Sequence, residues 1–455
     1  MAEQQKRGLL GGLASLGGNL LNKATEVIQG RSANELEVVD AGDTDARTSN
    51  IGHDEERKAL WQQLSSFVGK DVMSLLSIPV WLMEPISTLQ RTAEIMEYCD
   101  MITKADGEDD EFVRIGYIAC FFIGAYPSNL RTWKPFNPIL GETYEFCPDA
   151  DTYYFSEQVS HHPPIAVGHA ENPKWSYSIT SAVKTKFYGN SVDVFPIGRN
   201  RITLKSRGET YAVVPPTCRA HNLVIGRTWV DTFGDMLVVN LTTGKYVALN
   251  FKPCGWFGAG RYELEGTIYN DDGEAQHAMV GKWCPGGSVG LTKCDSEGRP
   301  VKDADVSELW KGNSIINDDA YGFSKYTHWL NSMESAPRGG AGLLPSDSRL
   351  RPDRVGLEKG DNGAAQSAKH ELEEKQRSEK KIRETRDAGK WSPRWFDVAE
   401  PAGDADLYED VKEFEAPLEG CWDWNGKYDE LRKTLTDGSA KPEEFNPWQY
   451  PDEGK

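Results

Sequence analysis

Short segments with the composition of β-strands follow one another from Thr143 to about Tyr269, and this run constrains the fold more than any other feature. Turn residues separate the segments and no helical pattern comes between them, which is typical of antiparallel strands joined by short connections. Residues 237–241 and 246–251, for example, flank a turn at 242–244 that ends in glycine. So many strands would expose long edges, and closure into a barrel removes those edges. We therefore expect an antiparallel barrel whose interior side chains alone need not fill.

The composition fits a large folded chain and excludes some classes of function. Hydrophobic residues make up 38% of the 455 residues, enough to bury a sizeable core, and the formal net charge is −19. A general nucleic-acid-binding protein needs a basic surface, so we expect no nucleic-acid partner, although a local basic pocket remains compatible with this charge. No apolar run reaches the roughly 20 residues that span a bilayer. The 8 cysteines are scattered without a Cys-x-x-Cys pair, which indicates free thiols in a reducing, cytoplasmic compartment.

The first part of the chain, residues 1–54, is expected to be a flexible extension. Apolar residues recur at steps of three and four between residues 9 and 28, among glycines that each weaken a helix by about 1 kcal/mol. Two interpretations remain open: a disordered tail, or an amphipathic helix that folds on a membrane surface. A second amphipathic segment, at about residues 55–72, places Trp61, Leu64 and Phe67 on one face.

Two adjacent histidines, His161 and His162, lie in the segment Glu157–Pro164, whose sequence is EQVSHHPP. Prolines cannot donate the hydrogen bonds of a strand, so the segment is predicted to form a rim of the sheet. There the two imidazoles either pack beside a loop or hold an anion. No nucleophile with a base and an orienting group accompanies the pair, so we expect no enzymatic activity. Neighbouring strand residues point to opposite faces, so we also expect no shared metal.

Two further segments carry polar residues that suit a binding site. The segment Lys134–Glu142, with the sequence KPFNPILGE, is a loop stiffened by two prolines and a glycine. A long helix is predicted at about residues 367–388, with few large apolar residues to pack it. Its polar stripe consists of Lys369, Glu373 and Arg377, at successive four-residue steps. This stripe is either a solvated face with intrahelical ion pairs or a surface that faces an anion.

These segments resemble the signature blocks of the oxysterol-binding-protein-related proteins. EQVSHHPP at 157–164 looks like the signature itself, and a chance match of eight such residues is remote. KPFNPILGE at 134–142 and SRLRPD at 348–353 resemble two further blocks, as do the stripe at 369–377 and WSPRWF at 391–396. The resemblance covers about residue 61 to the C-terminus. The arrangement is most similar to short, plant-type members without a pleckstrin-homology domain.

The resemblance implies an α+β fold, built as a large antiparallel, incomplete β-barrel around a lipid tunnel. The lipid-binding domain would span residues 55–455, with the barrel at about 130–330. An N-terminal lid with helices, at about 55–72, would close over the lipid tails through Trp61, Leu64 and Phe67. A helical C-terminal subdomain would occupy about 331–455.

Proteins of this family carry a sterol in one direction and phosphatidylinositol 4-phosphate in the other, so the resemblance implies that exchange here. The family's headgroup contacts carry over onto Lys134, Asn137, His161, His162, Lys369, Glu373 and Arg377. Arginine presents a planar fork to phosphate and lysine a point charge, while a bound phosphate favours protonated histidine. Two alternatives remain open: a phosphoinositide and sterol sensor or tether, and transfer of another lipid, such as phosphatidylserine, against phosphatidylinositol 4-phosphate.

The resemblance also implies a cytoplasmic protein, peripheral on membranes at contacts of the endoplasmic reticulum with the Golgi or plasma membrane. The segment Trp395–Glu400, WFDVAE, loosely resembles the two-phenylalanine motif that binds adaptors in the endoplasmic reticulum membrane. The residues before it are basic, however, where that motif prefers acid. Structural packing of Trp395 and Phe396 is therefore the preferred interpretation. No cofactor and no metal ion are expected.

Overall fold

The computed structural model describes residues 54–71, 78–337, 343–385, 391–399, 421–434 and 445–448. The expected flexible extension, including the apolar stretch at 9–28, lies outside the described residues. Within them, no helix combines the length and the apolar character needed to cross a bilayer.

The described residues form eight α-helices and eighteen β-strands. The helices are α1 Asp54–Leu64, α2 Thr88–Ala93, α3 Asp100–Gly107, α4 Glu111–Ile123, α5 Lys325–Asn331, α6 Pro352–Glu358, α7 Asn362–Thr385 and α8 Lys427–Thr434. The first nine strands are β1 Met83–Ser87, β2 Lys134–Phe136, β3 Thr143–Phe146, β4 Tyr153–His161, β5 Pro164–Glu171, β6 Trp175–Phe187, β7 Val192–Pro196, β8 Asn200–Leu204 and β9 Glu209–Val214. The others are β10 Thr217–His221, β11 Trp229–Asn240, β12 Tyr246–Phe251, β13 Glu263–Tyr269, β14 Ala275–Lys282, β15 Ser288–Thr292, β16 Ser307–Lys311, β17 Phe396–Ala399 and β18 Cys421–Trp424.

Fourteen strands, β3 to β16, form one large antiparallel sheet. The main path runs β16-β15-β14-β13-β12-β11-β10-β7-β6-β5-β4-β3, while β8 and β9 form a side branch. In the described part of the chain β3 and β16 are the two ends of this path and do not pair with each other. The sheet is thus not closed as a regular barrel, so the closure expected from the number of strands is wrong, whereas the prediction of an incomplete antiparallel barrel with helices is confirmed.

Two long strands, β6 and β11, hold the branched part of the sheet together. The first half of β6 pairs with β8, from Trp175↔Leu204 to Ile179↔Asn200, and its second half pairs with β7. In the same way β11 pairs first with β10 and then with β9. Between its two halves lies Gly234, at φ 92°, a left-handed conformation that glycine adopts without steric cost. Two ribbons, β7 with β10 and β8 with β9, thus join β6 to β11.

Helix α4 packs across strands β11 to β16 and forms the centre of the main core. The Asp110 carboxylate caps its first turn by accepting from the amides of Phe112 and Val113. Ile115, Ile118 and Phe121 are at most 1% exposed, so this helix is buried among the strands rather than lying on them. The sequence predicts a helix at Glu111–Ile123, and the structure confirms these bounds. The cluster holds most of the described apolar core, so burial here is the main source of stability.

One predicted helix is wrong. The sequence pattern from Ile86 to Ile102 predicts a continuous helix, whereas Ile86 lies in β1, which pairs in parallel with β2. The cause is Pro85, which with the capping residue Ser87 delays the helix until Thr88. The parallel pairing places Lys134 beside Met83.

Candidate functional site

The segment that carries the two histidines forms the end of β4 and the tight turn into β5. His161 pairs with Pro164 across this turn, where the ladder ends. The two imidazole rings lie side by side, with their centroids 4.5 Å apart. The expectation that they point to opposite faces is therefore wrong, since β4 ends at His161 and His162 already belongs to the turn. Both rings can approach one ligand.

His161 is placed in contact with two other candidate segments. The Pro138 carbonyl, in the loop 134–142, accepts a hydrogen bond from the imidazole ring of His161. The Glu373 carboxylate, on α7, lies close enough to favour the charged form of this ring. Burial nonetheless lowers the pKa of His161 to about 4, assisted by the charges of His162 and Lys380. Its buried Nδ1 has no hydrogen-bond partner among the described residues. A buried nitrogen without a partner is costly, so this atom is suited to a ligand.

Lys134 lies in β2, at the start of the stiff loop, and its ammonium group donates to the side-chain oxygen of Asn137. Burial, together with the charges of Lys369 and Arg351, lowers its pKa to about 8. Several cations are thus held near one another in partly desolvated surroundings. An anion between them would relieve this repulsion.

The stripe on α7 lies against the same loop. Leu372 packs with Ile139 and Phe445, which fixes the rotation of the helix about its axis. Lys369 is 6% exposed, and its Nζ is 2.5 Å from the Glu373 carboxylate. Arg377 is half exposed and pairs with the same carboxylate at 3.6 Å. The solvated-face interpretation therefore fits Arg377, whereas Lys369 is buried toward Lys134.

The structure thus brings Lys134, Asn137, His161, Lys369 and Glu373 into one neighbourhood, with His162 and Arg377 at its open side. Sequence reasoning missed Lys380, whose charge lowers the pKa of both histidines. The signal for Lys380 was available, since it lies eleven positions after Lys369, three turns along the same helix.

Arg351 supports the loop 134–142 through buried contacts, and the sequence did not identify it as a residue of the site. Its guanidinium donates to the Asn137 carbonyl at 2.8 Å and to the Glu142 carboxylate at 2.8 Å. It also pairs with Asp353 at 2.7 Å, and all three side chains are at most 3% exposed. This buried network fixes the backbone that presents Asn137. The block at 348–353 therefore supports the candidate site rather than facing a ligand.

The three residues predicted to form a lid lie next to the sheet. Leu64 is 6% exposed, whereas Trp61 and Phe67 are half-buried. The Trp61 ring lies 6.4 Å from that of Phe187, the last residue of β6. Arg57 donates to the Asn222 carbonyl at 3.0 Å, so α1 is fixed to the β10–β11 connection.

In the segment that resembles an adaptor motif, the two aromatic residues are packed in the interior, whereas Val398 is 64% exposed. Trp395 is 5% and Phe396 1% exposed, and both belong to a core cluster with Phe155 and Tyr428. The packing interpretation accounts for these two rings. Among the described residues there is no group of three or more His, Cys, Asp or Glu side chains arranged to hold a metal ion.

The fold and the site define a class of protein with a large open antiparallel sheet, a buried helix at its centre, and partly desolvated cations beside the histidine turn. The family model described as oxysterol-binding protein matches residues 59–433. The chain belongs to the oxysterol-binding protein family.

Relatives and solved structures agree with this membership. Oxysterol-binding protein-related protein 3C of Arabidopsis thaliana is 43% identical over 451 residues, covering 96% of this chain and 94% of that protein. Related protein 3B of the same organism is 42% identical, covering 98% and 96%. The crystal structure of the Osh1 ORD domain in complex with cholesterol matches with a TM-score of 0.70 and 31% identity, over 92% of this chain and 96% of that one. The Osh3 ORD of Saccharomyces cerevisiae in complex with PI(4)P matches with a TM-score of 0.64 and 27% identity, over 78% and 93%.

Proposed function

We propose that this chain is a lipid transfer protein that exchanges a sterol for phosphatidylinositol 4-phosphate between membranes. The observation that carries the proposal is the convergence of Lys134, His161 and Lys369 from three separate segments. Each of the first two has its pKa lowered by burial and by neighbouring cations. Such an arrangement destabilises the empty protein and is relieved by a multiply charged anion.

The chemistry of the cluster suits a phosphorylated inositol ring. The headgroup offers two phosphates, which need cations, and several hydroxyls, which need neutral or acidic partners. Lys134 and Lys369 supply point charges, and the histidines donate to phosphate once protonated. Asn137 and Glu373 lie beside the two lysines and can accept from the hydroxyls. Arg377, half exposed, would close the open side.

The second lipid is proposed to be a sterol held within the sheet, under the lid. The Osh1 ORD structures with cholesterol and with ergosterol support this proposal, because they cover 92% of this chain. Trp61, Leu64 and Phe67 would cover the lipid tails. The protein would act in the cytoplasm, peripherally on membranes of the endoplasmic reticulum, Golgi or plasma membrane, with an adaptor as a further partner.

A transfer assay between two vesicle populations tests the proposal. Donor vesicles carry a fluorescent sterol and acceptor vesicles carry phosphatidylinositol 4-phosphate. We expect catalytic amounts of protein to move both lipids in opposite directions, with sterol transfer accelerated by the phosphoinositide. Extraction of one lipid per protein without turnover would instead indicate a sensor or tether. Counter-transport of phosphatidylserine and not sterol would change the assigned cargo.

A further inference from the structure

One buried glutamine on helix α7 has a side-chain amide without a partner. Gln376 is 7% exposed, and among the described residues nothing forms a hydrogen bond with this amide. A glutamine amide carries an oxygen that accepts and an NH₂ group that donates two hydrogen bonds. Leaving such a group unpaired in the interior costs free energy, so the amide is suited to a ligand that brings its own donor and acceptor.

The helical repeat places Gln376 on the same side of α7 as Lys369. At 3.6 residues per turn, Gln376 lies about 20° around the helix axis from Lys369, and Lys380 lies about 20° to the other side. Arg377, in contrast, lies about 80° away. The exposure agrees with this geometry, since 55% of the Arg377 side chain is exposed. Gln376 and Lys380 thus continue the line that Lys369 begins.

Contacts on either side of Gln376 hold α7 on the stiff loop. One turn earlier, Leu372 packs against the loop. Two turns later, the Arg383 guanidinium lies 5.5 Å from the centre of the Trp391 ring. That ring covers Gly141 of the loop so closely that an added Cβ would lie 2.7 Å from it. Gln376 lies between these two contacts, which accounts for its burial and places it at the candidate headgroup site.

Lys380 lies one turn after Gln376, near the two histidines. Burial lowers the pKa of His161 and that of His162, and the charge of Lys380 contributes to both shifts. Side chains on a helix lean toward its N-terminus, so that of Lys380 extends back toward Gln376. Its ion pair with Glu384 is exposed and long, at 3.9 Å. Such a pair is weak, so the Lys380 ammonium can turn to an anion at the histidine turn.

We propose that Gln376 and Lys380 determine which headgroup the site accepts: Lys380 binds the ring phosphate together with the histidines, and the Gln376 amide pairs with a neighbouring ring hydroxyl. A hydroxyl both donates and accepts, as the amide does, whereas phosphate oxygens accept and favour cations. A ligand without that hydroxyl leaves the buried amide unpaired and is rejected. The inference rests on the proposed function, because it takes the anion to be a phosphorylated inositol.

Calorimetry of the full chain with short-chain phosphatidylinositol 4-phosphate tests the two residues separately. We expect Gln376→Leu, which keeps the size of the side chain and removes the amide, to weaken binding about fivefold. Lys380→Met should weaken binding about tenfold, because a charged hydrogen bond to phosphate is lost.

Lys381→Met is the matched control for the lysine. Lys381 is exposed and lies about 120° around α7 from Lys369, so its replacement should leave binding unchanged. Equal losses in the two lysine variants would overturn the proposal, as would equal binding by Gln376→Leu and the wild type.

The dependence of affinity on salt distinguishes the two roles. Lys380→Met removes a charge that acts on the phosphate, so its affinity should fall less steeply with salt than that of the wild type. Gln376→Leu removes no charge, and its slope should equal that of the wild type. An unchanged slope in Lys380→Met would contradict contact with the phosphate.

Unfolding in urea separates ligand contact from a structural role of Gln376. The amide has no partner to lose among the described residues, so Gln376→Leu should be at least as stable as the wild type. A loss of stability that accompanies the loss of binding would contradict the assignment.

Transfer between vesicles separates this inference from the proposed function. If the wild type binds the short-chain lipid in a way that depends on Gln376 and Lys380 but moves no sterol between vesicles, lipid exchange fails and the inference stands. If exchange proceeds and both variants bind as the wild type does, the inference fails and the exchange proposal stands.

Discussion

The Glu157 carboxylate accepts a hydrogen bond from the backbone amide of Trp395 at 3.1 Å, although 238 positions separate them in the chain. Its other oxygen accepts from the amide of Arg394 at 3.1 Å. Glu157 is 0% exposed, and burial raises its pKa to about 7. This one side chain thus ties the start of the EQVSHHPP segment to the WSPRWF segment, so two of the family's blocks form one structural unit at the base of the histidine turn.

The raised pKa of Glu157 predicts how stability changes with pH. A carboxyl group with a folded pKa above its unfolded value binds more protons in the folded state, so its contribution to stability falls as pH rises from about 4.5 to 7. Glu157→Gln cannot titrate. Between pH 5 and 8, the free energy of unfolding of the wild type, measured with urea, should fall by up to about 3 kcal/mol relative to that of Glu157→Gln. A constant difference across that range would contradict the assignment.

Arg351 is predicted to be essential for the fold of the loop 134–142. Replacing it with alanine leaves Glu142 and Asp353 as buried, unpaired carboxylates, which should cost about 3–5 kcal/mol in the free energy of unfolding. Arg299 provides a control, since its pair with Asp295 is exposed, at 66% and 39% of the two side chains. Arg299→Ala should cost less than about 1 kcal/mol. Similar decreases in the free energy of unfolding for Arg351→Ala and Arg299→Ala, measured with urea, would show that the buried contacts of Arg351 contribute no special stability.

Replacing Lys134 is expected to stabilise the empty protein and to weaken binding of the phosphoinositide. Its pKa, lowered to about 8 by burial, means that the charged lysine destabilises the empty protein at pH 7. Lys134→Met should therefore raise the free energy of unfolding by about 1–3 kcal/mol while weakening binding of short-chain phosphatidylinositol 4-phosphate at least tenfold. Lys174→Met, at an exposed lysine, should change neither. Loss of stability in Lys134→Met would contradict the account.

The affinity for the phosphoinositide should increase as the pH falls. His161 has its pKa lowered to about 4 in the empty site, and a bound phosphate raises it, so binding takes up a proton. From pH 8 toward 6 the affinity should rise by up to about tenfold per unit for each proton bound. The ligand's own phosphate titrates near pH 6, so the comparison is with His161→Asn, which should show a shallower slope by calorimetry. Identical slopes would rule out His161 as the titrating group.

Local patterns predicted the elements whose contacts are close in sequence. The sequence predicts helix α4, and the turn residues at 270–273 predict the β13–β14 hairpin. The alternation of residues 175–182 predicts a strand that ends at Ala182, whereas β6 continues to Phe187. The alternation of apolar residues ends at Lys184 and Lys186, yet pairing with β7 continues the strand to Phe187.

Contacts between distant segments could not be predicted from such patterns. The hydrogen bond from Arg351 to the Asn137 carbonyl and the one from the Trp395 amide to Glu157 each join residues more than 200 positions apart. The residues next to an arginine or a buried carboxylate in the sequence do not indicate which distant residue it contacts. The seven candidate headgroup residues came from a family resemblance, and the structure adds Lys380 and the physical reason for their proximity, while their role in binding remains a prediction.

The headgroup site is tested by extracting lipids from vesicles with a variant that lacks both histidines. We predict that His161→Ala with His162→Ala lowers extraction of phosphatidylinositol 4-phosphate by at least about tenfold, because two donors to phosphate are lost. Sterol extraction from the same vesicles should stay at the wild-type level, which also shows that the variant is folded. Phosphoinositide extraction equal to that of the wild type would contradict the headgroup site.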